Sequence, residues 1–299
     1  MVEKRLGYIR LMRPANVVTA VADVLAGIAI SGYYLGSADV LFSTNVLSVI
    51  FICISTVGLY SGGIIFNDVF DADLDKIERP ERPIPSGLIT VREASLFGAI
   101  FFVIGVVAAA FCSFVSFILS ISIVIACLTY NKWAKHDKLL GPLNMGLCRG
   151  LNLLLGVSIL PPQLQAWWFV AIIPIIYIAS ITMISRGEVH GGSKKSLYLA
   201  AFLYVIVIAF VLVIAMMMQH FVITFLFLLP FTWMIFGPLL KAIHLPSGPH
   251  IGRAVKAGVI ALILLNAAWA SAFGNWQIAV LIIILLPLSL WLSKKFAVT

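Results

Sequence analysis

Ten runs of apolar residues, each near or beyond the length that crosses a bilayer, occupy most of this 299-residue chain. They lie near 15–36, 46–66, 95–113, 114–131, 142–160, 167–185, 197–218, 221–240, 254–273 and 276–293. A helix of about 20 apolar residues matches the thickness of the hydrocarbon core. The period-two alternation of a membrane barrel is missing, so a bundle of helices is the architecture that satisfies the backbone in lipid. A soluble helical protein needs a polar face on each surface helix, and most of these runs have none. With 62% hydrophobic and 11% charged residues, the chain is predicted to be an all-α, polytopic membrane bundle. It forms one domain over 1–299, because no linker, low-complexity tract or short repeat divides it.

The basic residues predict orientation. All 20 Lys and Arg fall in six places: Lys4 to Arg13, 76–92, 132–149, 186–195, 241–256 and Lys294 with Lys295. The intervening connections near 37–45, 112–115, 161–166, 219–220 and 274–276 hold none. By the positive-inside rule the N-terminus and all basic loops are cytoplasmic, as expected of a multi-pass protein of a membrane such as the bacterial inner membrane. The net charge of +8 then reflects orientation and anionic substrate or lipid. It does not point to nucleic acid, since no basic stretch is set among exposed aromatics. The basic first 13 residues precede a run too long for a signal peptide and without a small-residue cleavage site, so this run is read as the first helix. Cys53, Cys112, Cys127 and Cys148 follow no metal or disulfide spacing and read as packing residues.

At the end of the second run stands Asn67-Asp68-Val69-Phe70-Asp71-Ala72-Asp73-Leu74-Asp75. Carboxylates at the mouth of a membrane helix are costly and call for a reason. At about 100° per residue, Asn67, Asp68, Asp71 and Asp75 share an arc of about 100° on a continuous helix, and Asp73 points away. Three carboxylates and an amide oxygen on one face suit a hard divalent cation, and Mg²⁺ commonly comes with a phosphate ligand. A merely solvated acidic helix end is the plainer reading. It sits poorly with the adjoining segment, Lys76-Ile77-Glu78-Arg79-Pro80-Glu81-Arg82-Pro83-Ile84-Pro85-Ser86-Gly87. The prolines end the helix. Lys76, Arg79 and Arg82 stand directly behind the carboxylates, an arrangement suited to a metal-bound diphosphate. An internal salt-bridge network is the alternative.

The pattern Asn-Asp-x-x-Asp-x-x-x-Asp with Arg79 and Arg82-Pro83-Ile84-Pro85-Ser86-Gly87 resembles the signature of the UbiA superfamily of intramembrane prenyltransferases. The resemblance extends to Arg13-Pro14-x-Asn16, Tyr130-x-Lys132 and Gly141-Pro142-x-Asn144. It implies nine transmembrane helices around a central cavity open to the cytoplasmic side, to which the run 276–293 adds a tenth. It further implies Mg²⁺ as cofactor, a prenyl diphosphate as donor, and a small-molecule acceptor, aromatic or otherwise lipophilic, reached from the membrane lipids. Asn67, Asp68, Asp71 and Asp75 would hold the metal on the diphosphate. Lys76, Arg79, Arg82, Lys132 and Arg186 would neutralise the leaving charge, with Tyr130 bracing it. The diphosphate leaves, and the acceptor attacks the allylic cation.

A second Asp-rich motif is expected in that family after the sixth run. This chain reads Arg186-Gly187-Glu188-Val189-His190-Gly191-Gly192-Ser193-Lys194-Lys195 there, and Glu188 is its only carboxylate side chain after Asp137. Either Glu188, helped by His190, holds a second Mg²⁺, or Arg186, Lys194 and Lys195 neutralise the diphosphate directly while the glycines let the backbone approach it. The second account is preferred. This loop, with Cys148-Arg149-Gly150-Leu151-Asn152, resembles the EboC-type branch of the superfamily.

Further polar residues lie inside the apolar runs. Arg149 and Asn152 are one turn apart, and a charge here is expected to face the cavity as a substrate ligand or to snorkel. Asn16 and Asp23 share one face of the first helix, where acceptor binding and a structural hydrogen bond are equally open. Lys241, His244, Arg253 and Lys256 read as a positive-inside anchor. The rival function is a non-catalytic lipid-binding or transport protein, since intramembrane acids also mark ion paths. A carrier, however, calls for broken helices with polar residues at mid-depth.

Overall fold

The computed structural model describes residues 2–33, 44–188 and 191–296. Each of the ten apolar runs falls chiefly on helix where its residues are described, and the described residues contain no strand. The helices are α1 (Val2–Met12), α2 (Pro14–Ile30), α3 (Thr44–Phe70), α4 (Ala72–Glu78), α5 (Val91–Ala110), α6 (Phe114–Lys132), α7 (Leu140–Val157), α8 (Pro161–Trp167), α9 (Ile172–Ser185), α10 (Lys194–Met217), α11 (Phe221–His244), α12 (Gly248–Ala272) and α13 (Trp276–Lys295). Nine helical spans among the described residues are long and apolar enough to cross a membrane. The run over 142–160 is not among them. Its helix, α7, carries Asn144, Arg149 and Asn152, which lower its hydropathy, and it is packed inside the bundle against α2, α6 and α9. The expected connection at 161–166 is helical instead, since prolines at the first positions of α8 are compatible with a helix start.

Two helices, α2 and α12, form the interior. They pack on each other, α2 also touching α3, α7 and α13, and α12 touching α9, α11 and α13. Backbones come very close where α2 crosses α7. A Cβ built on Gly27 would stand 2.2 Å from the Leu153 carbonyl oxygen, and one on Gly156 would stand 2.2 Å from that of Val24. Small residues at helix crossings are how membrane bundles gain packing without a hydrophobic drive between helices.

Two local departures from regular helix shape the end of the bundle where the acidic motif lies. Asp71 (φ −90°, ψ 2°) marks a local irregularity between α3 and α4, although i→i−4 hydrogen bonds run on across it, from Asp71 N to the Asn67 carbonyl at 3.0 Å and from Asp75 N to the Asp71 carbonyl at 2.8 Å. Arg13, between α1 and α2, adopts the left-handed region (φ 45°, ψ 66°) directly before Pro14. This is an uncommon conformation for a residue with a side chain. Such strain persists where surrounding contacts over-determine it, and the contacts that hold Arg13 belong to the acidic motif.

Candidate active site

Arg13 donates from Nη2 to Asp68 Oδ1 at 2.6 Å. Arg82, brought back by the proline-rich turn after α4, donates from Nη1 to Asp75 Oδ2 at 2.6 Å and to Asp68 Oδ1 at 3.3 Å. Asp68 and Asp75, both 4% exposed, are therefore joined through one guanidinium. Asp71 pairs instead with Lys135. No sequence motif singles out Lys135; a short 3-10 turn over Ala134–His136, after α6, carries it to Asp71. Asn67 donates to Asn131 Oδ1 at 3.0 Å, and Asn131 donates to the Gly63 carbonyl at 3.2 Å.

These groups surround a cavity of about 1250 Å³, counting its open mouth. Its walls include Arg13, Asn16, Tyr60, Asn67, Asp71, Arg79, Tyr130, Lys135, Arg149 and Glu188. The cavity continues into an apolar slot of about 720 Å³ lined by Leu59, Ile64, Ile123 and Cys127. Arg13, Asn16, Tyr60, Asn67, Tyr130 and Met145 line both. The result is a charged vestibule opening on a greasy pocket.

The predicted residues divide between this vestibule and other places. Asn16, Asn67, Asp71, Arg79, Tyr130, Arg149 and Glu188 line it directly. Asp68, Asp75 and Arg82 are linked to that wall through Arg13. Lys76 is exposed on Asp73 at 2.8 Å. Lys132 lies with its Nζ 4.6 Å from the Trp133 ring centroid, away from the vestibule lining. Arg186 turns to the Asp137 carbonyl, and Lys194 stands exposed at the start of α10. His190, suggested as a helper of Glu188, lies outside the described residues.

Glu188 lines the same cavity as Asp71 and Lys135. Burial pushes its carboxyl above the usual carboxylate range, against the opposing pull of Arg79. Its Oε1 is buried with no hydrogen-bond partner among the described residues. An unpaired buried carboxylate oxygen is expensive unless a ligand completes it.

Deeper in the bundle Arg149 donates to Asp23 Oδ2 at 2.6 Å, to Thr19 Oγ1 at 2.6 Å and to the Tyr60 hydroxyl at 2.8 Å. Its guanidinium also stacks 4.5 Å from the Tyr60 ring centroid. Asn152 donates to Asp23 Oδ2 at 3.2 Å and accepts from Thr56 at 2.6 Å, and Asn266 donates to Asp23 Oδ1 at 2.7 Å. The cluster ties α2, α3, α7 and α12 together. Asn152 also lines the apolar slot, and Arg149 lines the vestibule, so both network residues border the cavity.

Does this site suit Mg²⁺? Among the described residues no three acidic, histidine or cysteine side chains converge as a ready cage. Mg²⁺ keeps several waters and needs only one or two carboxylates when phosphates supply the rest. Asp71 and the unpartnered Glu188 oxygen on one cavity offer that hard donor set, so the residues fit the ion.

Residues 24–244 match the UbiA prenyltransferase family. A digeranylgeranylglyceryl phosphate synthase from Sulfurisphaera tokodaii is 30% identical over 177 residues, covering 59% of this chain and 60% of that protein. The match spans about 60% of the length of that relative and of a second one, from Saccharolobus solfataricus. In structure, a chain solved for work on digeranylgeranylglyceryl phosphate synthase in membranes superposes with TM-score 0.66 at 21% identity, covering 91% of this chain and 99% of that one. A UbiA homologue from Archaeoglobus fulgidus bound to GPP and Mg²⁺ superposes with TM-score 0.62 at 16% identity, covering 84% and 99%. At such identities these two likenesses establish the shared fold.

Proposed function

The chain belongs to the UbiA prenyltransferase family, and we propose that it transfers an isoprenyl group from a prenyl diphosphate to a lipophilic acceptor in the membrane, with Mg²⁺ as cofactor. One observation carries this reading: a vestibule of paired charges, with one carboxylate oxygen unpartnered among the described residues, opens on an apolar slot. The slot suits a prenyl chain and the vestibule a diphosphate. The acceptor belongs to the class of small lipophilic molecules; the name of the relatives makes a glycerol phosphate lipid the first candidate to try.

When bound, Mg²⁺ would supply Lewis-acid neutralisation of the charge on the leaving diphosphate. Asn67, Asp68, Asp71 and Asp75 would hold it, with Glu188 lining the same cavity. The chain's own cations do the rest. Arg13, Arg82 and Lys135 neutralise the carboxylates before substrate arrives, and an incoming diphosphate competes for the same guanidinium and ammonium groups. Their transfer to the substrate would leave Asp68, Asp71 and Asp75 without their cationic partners, the state in which these carboxylates could hold Mg²⁺. Arg79 adds positive charge at the mouth. Tyr130 lines both the vestibule and the slot, where its ring would stabilise the developing allylic cation. Leu59, Ile64 and Ile123 keep water from that cation. The acceptor then attacks and releases a proton.

The test is calorimetric titration of the purified protein with geranylgeranyl diphosphate, with and without Mg²⁺. Binding that needs Mg²⁺ and is lost in Asp71→Asn supports the enzyme. Mg²⁺-independent binding, or flux of the diphosphate across liposomes without chemistry, would replace it with a carrier. The positive-inside pattern, which orients the vestibule to the cytoplasm, is tested by tagging each end.

A further inference from the structure

Away from the vestibule, the end of α11 and the start of α12 enclose a second cleft of about 960 Å³. Lys241, His250 and Arg253 line it together with Trp233, Met234 and Gly237. Neither Lys241 nor Arg253 has an ion-pair partner among the described residues. The sequence offers none on these helices either, since no Asp or Glu comes after Glu188. The His250 ring is oriented by a 2.8 Å hydrogen bond between its Nδ1 and Ser247 Oγ.

The apolar part of the cleft is equally specific. Trp233 is 81% exposed on a helix that reads as a membrane span. A Cβ built on Gly237 would meet nothing within 4 Å, so the glycine leaves the cleft open at its centre. Unneutralised cations at one end of an open apolar groove complement a ligand with an anionic head and a hydrocarbon chain.

We propose that this cleft binds an anionic phospholipid, its phosphate on Lys241 and Arg253 and one acyl chain along Gly237 against Trp233. The site shares no lining residue with the vestibule, but α12 belongs to both, through Val255 and Val259 on the vestibule side. A lipid seated here would therefore brace a helix of the central cavity. Anionic lipid is preferred over zwitterionic lipid because no carboxylate on α10–α13 is available for a choline-type cation.

Native mass spectrometry of the purified full chain tests this with phosphatidylglycerol, with phosphatidylcholine of the same acyl chains, and with glycerol 3-phosphate as the chainless probe. The wild type should retain phosphatidylglycerol over phosphatidylcholine. Lys241→Ala and Arg253→Ala should each cost about fivefold in retention, from roughly 1 kcal/mol per cation at a membrane surface. Gly237→Leu fills the groove and leaves every charge in place, and it should also release the lipid. Trp233→Ala provides the same reading if the leucine variant does not fold. Three results would overturn the proposal: equal retention of both lipids, wild-type retention when the groove is filled, or displacement of the lipid by glycerol 3-phosphate at equal concentration. Monodisperse elution and a wild-type unfolding curve in detergent serve as the control for folding in these variants.

Discussion

The Asp23–Arg149 pair in the bundle interior and the Asp68–Arg82–Asp75 group at its end both bury charge, but they leave different amounts of bonding capacity unused. Asp23 receives hydrogen bonds from Arg149, Asn152 and Asn266, and Arg149 is completed by Thr19 and Tyr60. All but the cation are neutral groups fixed on helices that already pack together. The terminal group is paired almost wholly by long cationic side chains, Arg13, Arg82 and Lys135, while Glu188 on the same cavity has an oxygen without a partner among the described residues. A saturated network specifies how helices meet. A network of exchangeable charges can trade its cations for a ligand. Burial alone does not distinguish scaffold from site; the identity of the partners does.

Breaking the interior pair should have the largest effect. Removing one partner of a buried pair strands the other, so Arg149→Ala should destabilise by about 3–5 kcal/mol, read from unfolding in detergent. Replacing both members with apolar residues of similar volume should recover much of that loss. A small effect of Arg149→Ala would mean that this cluster is not the saturated scaffold described.

The terminal group should behave in the opposite way. Asp68→Asn and Asp71→Asn are each expected to lower prenyl transfer by about 10²–10³-fold, as for loss of a group that stabilises developing charge. Their unfolding curves should stay near wild type. Turnover close to wild type in either variant would remove the acidic motif from the mechanism.

Glu188→Gln sharpens the contrast, because stability and binding should move in opposite directions. The Glu188 carboxyl is held above its ordinary value of 4.5 by burial. Its stabilising contribution is therefore fullest below that pH and declines as pH rises through the folded-state value. The glutamine variant should lose this decline and be more stable near neutrality, while Mg²⁺-dependent diphosphate affinity falls by about tenfold, the scale of one charge-assisted ligand. Unfolding measured across that range and calorimetric titration with the diphosphate check both halves.

The smallest effect belongs to Lys132→Ala, which should leave transfer within about twofold, since its ammonium lies on the exposed Trp133 ring. Lys135→Ala, at the Asp71 partner, should weaken diphosphate binding measurably more. Equal effects of the two variants would erase the distinction between the vestibule and its surroundings.

Much of this arrangement was legible in the residues, for reasons that also mark where legibility ended. The apolar runs dictated the helices, because a backbone in lipid has few other options. The concentration of charge at 67–82 marked the important end of the bundle. Partnerships were harder. Asp23 and Arg149 were each conspicuous as polar residues inside a span, but 126 positions separate them, and nothing local pairs them. Arg13 meets Asp68 across 55 positions. The irregularity at Asp71 carries no glycine or proline to announce it; helical spacing brings Asp68 and Asp75 to one face, where Arg82 joins them, but does not give the separate pairing of Asp71 with Lys135. The same kind of local geometry, a 3-10 turn after α6, substitutes Lys135 for Lys132 beside the motif. Sequence periodicity describes regular helix, and the vestibule is built where helices end.

The most direct measurement incubates the purified protein with geranylgeranyl diphosphate and a membrane-lipid extract and follows products by mass spectrometry, with and without Mg²⁺, for wild type and Asp68→Asn. A new prenylated mass that requires both Mg²⁺ and Asp68 is the predicted result, and its difference from the donor identifies the acceptor. Tight Mg²⁺-dependent binding with no diphosphate released would contradict transfer and leave a protein that holds the diphosphate without reacting it.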